Sequence, residues 1–158
     1  MNLPGAAKFN QLNYQIMNYK ELRQRQRDEV NAFPIGAAFT NEQFGEMMAN
    51  WGLKPEDTKE IASLGAGCFI RKKDIPAFNE MSDRHEREIR DFLASDENLK
   101  NALIYEFGNH ECQISHEWDD ALRALGMPKQ DACDERTARV FKRARKEFWQ
   151  LCLKNDWF

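Results

Sequence analysis

Over residues 75–94, Phe78, Met81, His85, Ile89 and Phe92 return every three to four positions, and over 134–154 so do Ala138, Phe141, Ala144, Phe148, Leu151 and Cys152. Two one-sided helical runs of about twenty residues must each bury a stripe, which commits most of the chain to helix packing. Asp74 and Pro76 suit the cap and first turn of the earlier run. Its outer face pairs Glu80 with Arg84, Asp83 with Arg87 and Glu86 with Arg90, at only ~0.2–0.5 kcal/mol each.

Shorter segments fill in the remainder. Residues 19–33 predict a polar helix with a thin seam of Tyr19, Leu22, Val30 and Phe33, ended by Pro34. Residues 35–39 form an apolar link of strand type. Thr40 and Gln43 make a capping box ahead of Phe44, Met47, Met48 and Trp51, with Gly52 as the stop. A short helix is expected over 55–64, broken at Gly65 and Gly67, followed by a strand over Cys68–Arg71. Ser95 and Asp96 open a helix through Leu99, Ala102, Leu103 and Phe107 that Gly108 ends or loosens. Residues 111–114 are expected to be a second strand paired with the first, and 117–125 a helix stopped by Gly126 and Pro128. The predicted class is α+β and mainly helical, with about six helices and a small two-stranded β element. Residues 1–16 read as a loose extension and 17–158 as a single helical-rich domain.

At 158 residues, 42% apolar and 31% charged, the chain has the composition of an ordinary globular domain. No apolar run approaches the ~18 residues of a membrane span, and the opening residues lack a secretory layout, so a cytoplasmic address is expected. The net charge of −3 favours neither a nucleic-acid binder nor an acidic mimic, but it is unevenly spread. Residues 74–120 carry −9 and 134–158 carry +3.

The string Tyr105-Glu-Phe-Gly-Asn-His-Glu-Cys112 gathers the chain's candidate chemistry. If the helix passes Gly108, Glu106 and His110 fall at i, i+4 on a core-facing stripe, where a buried polar network would orient the histidine. A sharper reading takes His110, Cys112 and His116 as zinc ligands completed by Cys68 across the predicted strand pair or by a carboxylate such as Glu111, although the spacing matches no zinc-finger or hydrolase pattern. A third makes Cys112 a nucleophile with His110 or His116 as base. Of the remaining thiols, Cys133 and Cys152 share no C-x-x-C spacing with the others.

Arg136, Arg139, Arg143 and Lys146 recur along the last helix as a cationic stripe that suits a phosphate backbone or an acidic protein, or is simply a solvated face. With only Phe141 interleaved, it does not suggest a single-strand stacking platform. Glu80, Asp83, Glu86, Asp91 and Glu97 supply an acidic counterpart that would suit a cationic channel. His85 is expected to be a satisfied core histidine, Met47 and Met48 core filler, and Trp157 and Phe158 either folded back or an exposed anchor. Serine-triad, Walker-type and dinucleotide-binding patterns are absent.

The strings Tyr19-Lys-Glu-Leu, Glu29-Val-Asn-Ala-Phe-Pro34, Ala38-Phe-Thr-Asn-Glu-Gln-Phe44, Cys68-Phe-Ile-Arg-Lys-Lys-Asp74, Phe78-Asn-Glu-Met81 and Tyr105-Glu-Phe-Gly-Asn-His-Glu111 resemble a family of small uncharacterised proteins of phages and mobile elements. The likeness spans about residues 19–127 and brings no catalytic residues with it. It implies a non-enzymatic inhibitor of a host defence nuclease, of anti-CRISPR type, acting in the cytoplasm of a bacterial host on a protein such as a CRISPR effector. The alternatives are a nucleic-acid-binding regulator using the basic last helix, and a zinc-binding protein or metal-dependent enzyme.

Overall fold

A computed structural model describes residues 18–158. The expected 1–16 extension lies outside the described residues. Within the stretch read as one domain, contacts separate two compact units, residues 18–24 with Arg87–Phe158 and, between them in sequence, Arg25–Glu86. Helices α1 (Tyr19–Ala32) and α3 (Ile75–Phe92) contribute residues to both.

In the Arg25–Glu86 unit a small sheet packs against helix α2 (Asn41–Asn50). Thr40 caps α2 through its Oγ1, which accepts from the Gln43 amide at 3.2 Å. The reciprocal half of the capping box goes one residue further back, because Gln43 Oε1 takes the Phe39 amide at 2.8 Å. Met47 and Met48 then face Ala38 and Ile61, with Phe44, Trp51 and Phe69 against them. The sheet is antiparallel in the order β1 (Gly36–Ala37), β3 (Cys68–Arg71), β2 (Ile61–Gly65).

Two sequence expectations fail here. Residues 55–64 are not a helix. A 3-10 turn at Thr58–Glu60 leads into β2, because the β3 edge supplies the hydrogen bonds a helix would have made internally and Ile61 is buried by that pairing. Ala66 and Gly67, at φ of 49° and 75°, then turn β2 back onto β3 with both central residues left-handed, the backbone that a tight hairpin requires. The second expected strand, 111–114, is a helical turn instead, so the partners of Cys68–Arg71 are β1 and β2, giving three strands rather than two.

Within this unit α1 and α3 meet through polar contacts. Gln26 is buried and donates to the His85 carbonyl, while Glu29 accepts from Arg84 at 2.5 Å and lies 2.8 Å from His85 Nε2. Val30, expected in the seam, is exposed and Gln26 takes the seam position. Arg84 therefore turns to Glu29 rather than to Glu80. The Arg84 guanidinium, with His85 behind it, holds the Glu29 carboxyl down at about 2. A depressed carboxyl pKa stabilises the fold above its ordinary value of 4.5, a contribution lost as pH falls from there toward 2. Glu29→Gln should flatten that acid limb: urea midpoints measured from about pH 5 downward should fall less steeply in the variant than in the parent.

The other unit is helical throughout: α4 (Asp96–Asn109), the one-turn α5 (Cys112–Ser115), α6 (Asp119–Ala124) and α7 (Glu135–Asn155). Ser95 and Asp134 cap α4 and α7 through hydrogen bonds from the Asn98 and Thr137 amides. Leu99, Leu103 and Phe107 of α4 meet Val140, Phe141, Ala144 and Phe148 of α7, closed by Leu122 of α6 and by Tyr19 and Leu22 of α1. The buried stripe of α7 keeps the expected Phe141, Ala144, Phe148 and Cys152 and differs toward its ends: Thr137 and Val140 lie inside, whereas Ala138 is exposed and Leu151 half-buried. The class is mainly helical α+β, with seven helices among the described residues. Among those residues no helix is long and apolar enough to cross a membrane.

Candidate functional site

With that stripe inside, the cations of α7 divide between two flanks. Arg136 donates to Asp96 at 2.7 Å and to the carbonyls of Leu93 and Ala94, closing the end of α3 onto the start of α4. Arg139 reaches the other Asp96 oxygen at 3.2 Å, and Arg143 lies 3.5 Å from Glu97. Lys100, nearly buried, bridges Glu97 and Glu147. Three of the four predicted contact cations are thus consumed in fastening α7 to the acidic first turn of α4, where carboxylates also suit the helix dipole. The guanidinium of Arg136, then that of Arg139, keeps the Asp96 carboxyl below its usual range, and Lys100 does the same for Glu97.

Lys146 belongs to a different group. Lys142, Arg145 and Trp149 sit at i, i+3 and i+7 on the other flank of α7, and Trp118 and His116 come up beside them from the segment before α6. Together with Lys146 they line an open cleft of about 440 Å³. The Arg145 guanidinium lies over the rings of Trp118 and Phe141, 5.8 Å from each centroid. Trp118 and Trp149 meet edge to face at 6.1 Å, and Phe158 stacks on Trp149 with ring planes 8° apart. His116, at φ 57°, ends α5 in a left-handed conformation that brings its imidazole 5.8 Å from the Trp149 ring. Among the described residues Lys142 and Lys146 are exposed and neither has a carboxylate partner.

The proposed zinc ligands do not come together. His110 lies 3.4 Å from Glu106, His116 lies against Trp149, Cys112 is fully buried, and Cys68 belongs to the sheet of the other unit. Among the described residues no three His, Cys, Asp or Glu side chains converge as a ligand set. Burial pushes the Cys112 thiol up to about 11, which keeps it protonated and unreactive as a nucleophile. The buried-network reading of this string holds instead: α4 continues to Asn109, and Glu106 is buried, accepting from Tyr19 at 2.6 Å and Asn109 at 3.3 Å.

Of the predicted acidic face, Glu97 is engaged by Lys100 and Arg143. Glu80, Asp83, Glu86 and Asp91 are exposed along α3, where helical spacing sets Arg87 and Arg90 between them. His85 is the satisfied histidine expected. Lys142, Arg145 and Trp149 lie outside the expected Arg136–Lys146 row, although their common flank is visible in their i, i+3, i+7 spacing. Trp118 and His116 give no such signal, since only the fold carries them there.

No curated protein and no solved structure matches the chain. A family of unknown function, DUF7659, matches over residues 18–147, a stretch that takes in the Arg25–Glu86 unit, most of the other unit and every lining residue of the cleft except Trp149, and the chain belongs to that family.

Proposed function

We propose that this chain is a non-enzymatic binding protein whose contact surface for nucleic acid is the Lys142–Arg145–Lys146 flank of α7. The observation that carries the reading is the cleft itself: three cations on one helix face, free of carboxylates among the described residues, beside two indoles. The net charge of −3 does not oppose it, because the potential a phosphate meets is dominated by the charges within about 8–10 Å, and the charged residues lining the cleft are these cations. Few phosphates are neutralised, so affinity should be modest, micromolar or weaker at physiological salt, as for sequence-independent contacts. With Z near three, the logarithm of the affinity for duplex DNA should fall with the logarithm of salt at a slope of about −2 to −3. Lys142→Glu combined with Lys146→Glu should abolish most of that slope in an anisotropy titration, while Arg139→Glu on the α4-facing flank should alter it less. A salt-independent signal, or none at low salt, would end this reading.

A second reading, inhibition of a host defence nuclease of anti-CRISPR type, is favoured by the exposed Glu80, Asp83, Glu86 and Asp91 of α3, which hold no ion pair among the described residues. Calorimetry against a panel of Cas9-type effectors tests it, and a lack of binding at micromolar concentration removes it.

A further inference from the structure

We infer that the cleft between α7 and the segment before α6 takes an unpaired nucleobase, stacked against Trp149 and Trp118 with its flanking phosphates on Lys142, Arg145 and Lys146, so that the ligand is single-stranded nucleic acid. This rests on the nucleic-acid reading above and adds to it the form of the strand. Three features of the geometry support it. Trp149 carries a flat ring in parallel, since Phe158 lies on it with planes 8° apart and centroids 6.0 Å apart, and a base on that face takes the place of this exposed ring. An aromatic base presents the same kind of face, and stacking on an indole tolerates any base. A duplex keeps its base faces buried against each other and offers this cleft phosphates and groove edges but no open face to stack.

The second feature is the arrangement of charge around the rings. Lys142 and Lys146 are one turn apart, about 6 Å along the axis, and both are exposed and line the same cleft as the indoles, so a strand draped over the cleft meets both. Arg145 lies between them, its guanidinium held over Trp118, where it is set to cover a base as well as to meet a phosphate. The third is size: about 440 Å³ lies within the range of pockets that hold small organic ligands and leaves room for little more than one base and its phosphate.

The test is fluorescence anisotropy on the full chain with a labelled oligothymidylate of about 15 nucleotides, a duplex of the same length, and thymidine monophosphate as competitor, at about 50 mM salt. The expected result is tighter binding of the strand than of the duplex, with poor competition by the mononucleotide. Trp149→Leu should weaken strand binding about 5- to 150-fold and leave duplex binding nearly unchanged. Because Trp149 is half-buried and its loss could loosen the helix, Trp149→Phe is the paired variant: it should retain most of the affinity yet lose the Trp149 share of the tryptophan quenching that the strand causes in the parent, leaving that of Trp118. Equal affinity for strand and duplex, with Trp149→Leu indifferent, would overturn the stacking inference and leave the phosphate-binding surface standing. Competition by the mononucleotide as effective as by the strand would also overturn it. Absence of binding to either polymer would remove both readings, and an acidic protein partner would then be sought on the same cations.

Discussion

Phe107→Ala should cost the helical unit about 3–5 kcal/mol, the range for emptying a buried aromatic site that its surroundings cannot refill. Phe107 is fully buried at the centre of an aromatic cluster, edge-on to Trp118 at 4.8 Å, to Phe141 at 5.5 Å and to Phe148 at 5.6 Å. These rings come from the residue just before α6 and from two turns of α7, so one side chain links the elements that build the cleft. At roughly 2–4 °C per kcal/mol for a chain of this size, the melting temperature should drop by about 6–20 °C. Trp118 emission should shift with it, since its indole would lose the ring against which it stands. A drop of under about 3 °C would mean that the cluster repacks around the void and that Phe107 is not its centre.

That cluster also shows which parts of the architecture could be read from the residues. Helical period and caps are local properties, and Thr40, Ser95, Asp134, Gly52 and Gly126 all mark ends where the structure has them. Residues 55–64 misled because Lys59, Glu60 and Ala62 are adequate helix formers, while the pull toward β2 comes from the open edge of β3 and a two-residue turn, both of them non-local. Residues 111–114 misled for the opposite reason: β-forming side chains there are confined to one helical turn between Glu111 and His116, each left-handed. The site was half visible. The charge of α7 was evident, but which cations were spent on Asp96 and Glu97 depended on the packing of α4. Around a buried stripe of Phe141, Ala144, Phe148 and Cys152, Arg139 and Arg143 fall on the flank that meets α4, and Lys142 and Arg145 on the other.

Tyr19→Phe should destabilise the same unit by about 1.5–3 kcal/mol, the cost of removing a hydrogen bond to a carboxyl group that stays buried. Tyr19 donates to Glu106 Oε1 at 2.6 Å with both residues about 4% exposed, and its ring packs edge-on to Tyr105, so phenylalanine preserves the packing and deletes only the donor. Adding Glu106→Leu to Tyr19→Phe should recover part of the loss, because the carboxyl that lost its donor is then gone too; the cycle of four proteins measures the coupling. The same pair predicts an alkaline limb. Burial first, and then the bond to Glu106, raise the Tyr19 phenol well above its ordinary value of 10.0. A raised pKa contributes stability in full below that ordinary value, and the contribution drains away as pH climbs past it. Cys112, raised from 9.0 to about 11, produces its own decline beginning lower, near pH 9, but does so in parent and variant alike. The difference between the two stability profiles therefore isolates Tyr19: the parent should lose its advantage over Tyr19→Phe as pH rises beyond about 10. Profiles that stay parallel through that interval would show that the phenol is not what holds Glu106 in the core.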